Sequence, residues 1–393
     1  MKKYNLLLPI AGRAQRFIDD GYPMPKPLIQ AGDEQIIDLS LSSINTTDCN
    51  LIFVVRSDHI LNFNIDKILK IKFGEDIIIK TIDTITRGAL ETCYLATENI
   101  DLSIPLIIYT PDVYFEDIFD PNSIPENVDG LLLTFPANSP DHSYVKLDDK
   151  DNAVLVAEKE VISPHANVGL YHFKSGSLFM KYAKEMLDKE IMVNNEYYIA
   201  PTYNLLIEDD LIIKTSSTKK MYVLGTPENL RFYEERIVKS FKPKSFVLSS
   251  DHSGFDLKEE TKKLLAEKNI PYIDVGTFVN KQCDYSDYIT EAISAINMGR
   301  ATHSLSFCRT GQGVNIGANK SKHLSAIVFD EYTAQYSIEH NCADFFSIPT
   351  KYVDTEIMEG ILEKLIESSF DGGRHYTRIT KILNTWNLNT TKV

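Results

Sequence analysis

The chain has 393 residues, with 41 Lys+Arg against 55 Asp+Glu for a formal net charge of −14, and it is 43% hydrophobic and 24% charged. That composition is ordinary for a globular protein, and at this length two domains are expected. The acidic balance argues against nucleic acid and against a membrane surface as partners, because both demand a cationic face.

No apolar run approaches the roughly 18 residues needed to cross a bilayer. Met1-Lys2-Lys3 followed by Leu6-Leu7-Leu8 imitates the start of a signal peptide. Arg13 and Arg16 then interrupt the apolar run, so this segment reads as a first buried strand. The cysteines at 49, 93, 283, 308 and 342 are odd in number and include no C-x-x-C pair. A disulfide framework and a structural zinc site are therefore not expected, and a cytoplasmic location is.

In chain order, short β-branched or leucine-rich runs alternate with amphipathic stretches, the pattern of α/β layers. Strands are predicted over 5–10, 50–55, 76–80, 105–109, 130–135 and 167–173, and then over 245–250, 271–274, 303–308, 325–329 and 343–348. A helical stretch over 228–240 ends at Lys242-Pro243-Lys244, after which the strand-loop-helix rhythm restarts. The expected domains are 1–240 and 244–393, each long enough for its own core.

The first strand runs into I-A-G-R-A-Q-R-F (10–17), and Pro25-Lys26-Pro27 follows. A loop after the first α/β strand is a usual anion site, since small residues let backbone N–H groups approach the ligand. Arg16 and Lys26 supply charge for polyphosphate oxygens. Further on come Gly88-Ala89, Tyr109-Thr110-Pro111-Asp112, Val156-Ala157-Glu158-Lys159, Asn167-Val168-Gly169 and Leu224-Gly225-Thr226-Pro227. In this order the segments resemble the sugar-phosphate nucleotidyltransferases, whose glycosyltransferase A-like domain is a Rossmann-like three-layer fold. The resemblance implies nucleotide binding at Gly12, Arg13, Gly88 and Ala89, and neutralisation of the triphosphate by Arg16 and Lys26. It further implies Mg²⁺ held by Asp112, and a sugar phosphate met by Glu158, Lys159 and Asn167. Two positions depart from it: Ala14 replaces a loop glycine, and Leu224 stands where an acidic residue often precedes the closing glycine.

In the second half, a strand ends in Asp251-His252-Ser253-Gly254, and another delivers Cys308-Arg309-Thr310-Gly311-Gln312-Gly313. Glycines between a strand and a helix make an anion cradle, and a cysteine at its mouth is placed to act as a thiolate. These motifs, with E-H-N-C-A-D (339–344) and F-D-G-G-R-H-Y-T-R-I (370–379), resemble ribose-5-phosphate isomerase type B and the related galactose-6-phosphate isomerase subunits. That resemblance implies a second Rossmann-like three-layer domain, a homodimer or higher assembly through this domain with active sites at the subunit interface, and no metal. It makes Cys308 the base of an aldose–ketose isomerisation, with Thr310, Gly311 and Gly313 around the oxyanion. Arg374 and Arg378, assisted by His252, would clamp the phosphate, while Asp251, Asn341 and His340 would meet the sugar. Arg309 replaces a usual glycine. Phe329 precedes Asp330 where many members carry a ring-opening histidine, which leaves that role to His252 or His340, or implies an open-chain substrate.

Together the halves predict a bifunctional carbohydrate enzyme whose substrates are a nucleoside triphosphate and a sugar or alditol phosphate, supplying a surface polysaccharide. The alternative is one catalytic domain beside a binding, dimerisation or sugar-phosphate-sensing module.

Overall fold

The structure, a computed structural model, describes residues 2–98 and 100–388, with side chains described through residue 383. The chain forms two compact units, Met1–Tyr233 and Glu234–Val393. No helix among the described residues is long and apolar enough to cross a membrane.

The first unit is built on a nine-stranded sheet. At its centre, Leu106–Tyr109, Tyr4–Pro9, Cys49–Arg56 and Ile78–Ile82 run parallel. Their sequences alternate between two cores: Leu6, Leu8, Phe53 and Val55 enter one, while Leu7, Ile52 and Val54 enter the other. A strand apolar on both faces must be covered on both, and helices on each side supply the outer layers. The strand His165–Phe173 pairs antiparallel with Leu106–Tyr109 and carries the sheet on to Gly130–Pro136 and the hairpin Ser143–Leu147/Ala153–Glu158. The hairpin strands and Ile213–Ser217 were not among the predicted strands. Val154 and Leu155 are exposed on the hairpin, which blurs the polar/apolar alternation there.

The second unit has a five-stranded, all-parallel sheet in the order Tyr272–Asp274, Phe246–Ser250, His303–Cys308, Phe345–Pro349, Ser325–Ile327. Helices Phe255–Glu267, Glu331–Glu339 and Thr355–Glu367 cover one face, and Tyr285–Asn297 and Gln312–Lys320 cover the other. Both units are thus α/β layers dominated by parallel strands.

The helical run from Pro227 to Ser240 contains a π-turn over Tyr233–Ile237, and the division between units falls inside it. Arg236 belongs to the second unit, where its Nη1 donates to Asp344 Oδ2 at 2.6 Å and its Nη2 donates to the Lys322 carbonyl at 3.0 Å. His323 Nδ1 lies 2.9 Å from the same Asp344 oxygen. Burial pushes the Asp344 carboxyl up, but the Arg236 guanidinium and the His323 imidazole outweigh it and hold it below the ordinary range.

Candidate active sites

In the first unit a cleft of about 760 Å³ opens at the carboxyl ends of the parallel strands, the general location for ligands in open α/β sheets. The loop after Tyr4–Pro9 contributes Gly12, Arg13 and Arg16, and Lys26 follows from the Pro-Lys-Pro turn. Gly88, Ala89 and Asp112 line it as well, so seven of the sequence-predicted residues meet in one cleft. Gly88 is required sterically: its φ is +151°, and a Cβ there would sit 2.3 Å from the Tyr197 carbonyl oxygen. Ala14, where the resemblance leads one to expect a glycine, adopts the left-handed conformation with φ 53° and ψ 35°. That conformation costs an L-residue about 1–2 kcal/mol. An Ala14→Gly variant is therefore expected to raise stability by about 1 kcal/mol, after allowing for the looser unfolded chain, read as an increased urea midpoint at unchanged slope.

Lys26 Nζ lies 3.2 Å from Asp112 Oδ2, so the carboxylate carries an ammonium partner. Its neighbour in the closing motif differs from the sequence expectation. Leu224 is fully buried in the core, with its N–H donating to the Asp112 carbonyl at 2.7 Å. A Cβ on Gly225 would lie 3.2 Å from Asp112 Oδ2 and 3.7 Å from Val223 Cγ1. The residue before Leu224 in this motif, Val223, is apolar as well. A divalent cation still fits, because Mg²⁺ commonly takes one or two carboxylates and completes its shell with phosphate oxygens and water.

Glu158, Lys159 and Asn167 are not in the cleft lining. Glu158 is nearly buried, and burial pushes its carboxyl up to about 7, opposed by the Lys159 ammonium and reinforced by the Glu196 carboxylate. Glu196 does line the cleft, which connects this carboxylate pair to it. Lys159 Nζ donates to the Asp141 carbonyl at 2.6 Å. The Asn167 amide serves its own strand: Oδ1 accepts the Gly169 N–H at 2.5 Å and Nδ2 donates to the Leu170 carbonyl at 3.3 Å. It holds the irregularity between Asn167 and Tyr171, and Thr110 N–H donates to the Gly169 carbonyl there at 2.9 Å. Arg87 and the Asn194–Asn195–Glu196 loop also line the cleft and were missed by sequence reasoning. The asparagines have positive φ values of 50° and 61°, an irregular loop with no periodic signature.

In the second unit Cys308 ends the central strand His303–Cys308 and is buried. Burial pushes its thiol up, the Thr310 and Gly311 backbone N–H groups pull it down, and the Asp251 carboxylate raises it again. Gly311, at φ 72°, opens the helix Gln312–Lys320 and turns those N–H groups toward the sulfur. A Cβ on Gly313 would collide with the Tyr285 ring at 2.5 Å, so that position also needs glycine. Asp251 Oδ1 accepts the Ser253 N–H, the Ser253 hydroxyl and the Gly254 N–H at 2.9, 2.8 and 3.1 Å. Exposed His252 packs its Nδ1 against the Cys283 backbone, 3.2 Å from the carbonyl and 3.3 Å from the amide nitrogen. Arg309, Thr310 and Phe329 are exposed.

These residues share the carboxyl edge of the parallel sheet. The rest of the predicted set sits on the other edge. The helix Glu331–Glu339 leaves the carboxyl end of Ser325–Ile327 and returns the chain to the start of Phe345–Pro349, delivering His340 and Asn341 to the amino edge. The helix Thr355–Glu367 makes the same return, and Lys244, which precedes the first strand of the sheet, donates to the Leu365 and Ser368 carbonyls at its end. The Asp371 N–H donates to the Glu339 carbonyl at 3.0 Å, so Arg374, His375 and Arg378 follow beside His340. At about 3.3 Å per residue, the six-residue central strand puts roughly 17 Å between the two edges. One copy of the unit therefore does not bring Cys308 together with Arg374 and Arg378.

Residues 246–382 match the family model for Ribose/Galactose Isomerase. Ribose-5-phosphate isomerase B of Escherichia coli is 32% identical over 140 residues, which are 35% of this chain and 94% of that protein. The chain belongs to the ribose/galactose isomerase family through its C-terminal unit. Another member of this isomerase family, the ribose 5-phosphate isomerase of Thermotoga maritima, is 31% identical over 36% of this chain and 99% of its own, with a TM-score of 0.35. Outside the isomerase unit, the nucleoside-diphosphate-sugar pyrophosphorylase of Vibrio cholerae is a structural neighbour. It has a TM-score of 0.53 and 24% identity, covering 59% of this chain and 100% of that one. The N-terminal part of this isomerase-family chain shares that fold.

Proposed function

We propose that the chain is a bifunctional carbohydrate enzyme. Its C-terminal unit interconverts the aldose and ketose forms of a phosphorylated sugar of the ribose 5-phosphate/ribulose 5-phosphate type, without a metal. The observation that carries this reading is the Cys308 thiol at the strand end, faced by two backbone N–H groups and the Asp251 carboxylate. Ionised Cys308 takes the proton between C1 and C2, and the Thr310–Gly313 backbone stabilises the oxyanion of the ene-diolate. Arg374 and Arg378 hold the terminal phosphate. Because they lie on the opposite edge, a second copy of the chain supplies them, and the working unit is a homodimer.

The N-terminal unit transfers a nucleotidyl group from a nucleoside triphosphate to a sugar or alditol phosphate. Arg13, Arg16 and Lys26 give the cleft its cationic wall, and aligning the two anions provides most of the catalysis. Asp112 would hold Mg²⁺, which supplies charge neutralisation on the phosphates when bound. The isomerase needs a free C1 carbonyl, so its product carries phosphate at the far end. That phosphate can attack the triphosphate directly and displace pyrophosphate, giving an activated pentose or, where a separate hydride-donating reductase acts between the steps, an activated pentitol for a surface polymer. Incubating the protein with ribulose 5-phosphate or its alditol, each nucleoside triphosphate and Mg²⁺ tests the coupling through pyrophosphate release. An Asp112→Ala variant is expected to lose this release by at least 10²-fold and to keep isomerase turnover. Absence of pyrophosphate with every pentose or pentitol phosphate would overturn the reading. The pairing of Asp112 with Lys26 favours a second reading, in which this unit binds nucleotide without turning it over. Nucleotide binding by calorimetry with no pyrophosphate would select it.

A further inference from the structure

The amino edge of the isomerase unit holds a group that the reaction above leaves unused. The His375 side chain is buried beside exposed Arg374 and Arg378. Its ring lies 4.0 Å from the His340 ring at an interplanar angle of 11°, and the Tyr336 ring, tilted by 49°, also packs on His340 at 4.4 Å. Arg374 Nε donates to His375 Nε2 at 3.1 Å. For that bond Nε2 must carry a lone pair, so the imidazole is neutral with its proton on Nδ1. Burial, with His340, Arg374 and Arg378 around it, pushes the His375 pKa down to about 4 and keeps the ring in this form.

Asp371, His340 and His375 offer ligand atoms within 4.8 Å of one another, which raises the question of a metal. The ring geometry argues otherwise. Two nearly parallel imidazoles 4.0 Å apart cannot both aim an in-plane lone pair at one ion, and the Nε2 lone pair of His375 already accepts a guanidinium N–H.

We propose that His375 is the positioning residue of this half of the isomerase site, its ring fixing His340 by stacking and its Nε2 fixing the Arg374 guanidinium. The proposal rests on the isomerase reading. A free arginine side chain loses about 2 kcal/mol of rotamer entropy when it clamps a ligand. Anchoring Nε on a buried acceptor removes part of that loss in advance. It also leaves Nη1 and Nη2 as the outward fork, which selects end-on, bidentate contact with a phosphate. Stacking on His375, with the Tyr336 ring packed against it as well, holds the His340 ring for the sugar.

The two functions separate by substitution in the full-length chain. His375→Phe keeps a ring and removes the acceptor; it is expected to raise both the KM for ribose 5-phosphate and the inhibition constant of inorganic phosphate about tenfold, with kcat within twofold of wild type. His375→Gln keeps an acceptor and removes the ring; it is expected to lower kcat several-fold with near wild-type phosphate affinity. Arg374→Lys leaves the buried ring untouched and removes the Nε–H donor. It should match the His375→Phe loss, and the double variant should lose no more than either single one. Additive losses in that double variant, or equal changes in KM and kcat in both His375 variants, would overturn the proposal. Should the wild-type protein turn over no pentose phosphate, the isomerase reading falls. Inorganic phosphate binding, measured by calorimetry across the same variants, then decides the role of His375 by itself.

Discussion

A Cys308→Ala variant loses isomerase turnover by about 10²–10⁴-fold while pyrophosphate release by the N-terminal unit stays at the wild-type level. The magnitude is that of a positioned general base. The sign of the pH dependence follows from the shift. A base must be deprotonated to act, and burial together with Asp251 raises the thiol above its ordinary range. Thiolate is therefore scarce at neutral pH, and kcat/KM for isomerisation climbs as pH rises into the alkaline range, as does the rate of Cys308 alkylation by iodoacetamide. Asp251→Asn removes a neighbouring negative charge and moves the alkylation profile toward lower pH. Turnover retained in Cys308→Ala, or an alkylation rate that falls with rising pH, would displace Cys308 from the role of base.

The second large effect concerns assembly. Cys308→Ala and Arg378→Ala are each expected to be inactive as isomerases, yet a mixture allowed to exchange subunits regains activity. In an equal mixture half of the dimers are hybrids, and each hybrid has one of its two sites intact, so recovery approaches about a quarter of the wild-type rate. This outcome depends on the placement of thiol and arginines on opposite sheet edges. A site completed within one chain would recover nothing.

Much of this was legible in the linear chain because both-face-buried strands announce themselves. All eleven predicted strands are present, with ends shifted by at most two residues, since Leu6–Leu8, Ile52–Val55 and Ser304–Phe307 have cores on both sides. Edge strands such as Ala153–Glu158 do not carry that signal. Glycine-loop motifs were legible for a related reason: Gly88 and Gly311 answer to local backbone geometry, and local geometry is what short spacing encodes. Alternation within a three-residue strand is not encoded so clearly, and the short pair Met221–Val223/Val113–Phe115 carries no signal of its own in the chain. Nor does spacing along the chain reveal which edge of a sheet a motif reaches. Cys308 and Arg374 read as one site, and the crossover helices separate them. His375 stood inside a recognised motif, but its contacts with His340 and Arg374 follow from packing rather than from spacing.

The ion-paired network around Asp344 governs where the chain can be cut. A fragment beginning at Lys244 starts at a natural-looking strand boundary yet discards Arg236, leaving Asp344 with His323 as its remaining side-chain counterion. Removing one partner of a largely buried pair costs on the order of 3 kcal/mol. A fragment beginning at Glu234 retains the guanidinium and is expected to melt several degrees higher in a thermal scan. The isomerase unit therefore begins before the Lys242-Pro243-Lys244 connector, at the residues that carry Arg236. The helical run Pro227–Ser240 spans the division, and its last turns carry a counterion that the C-terminal unit needs.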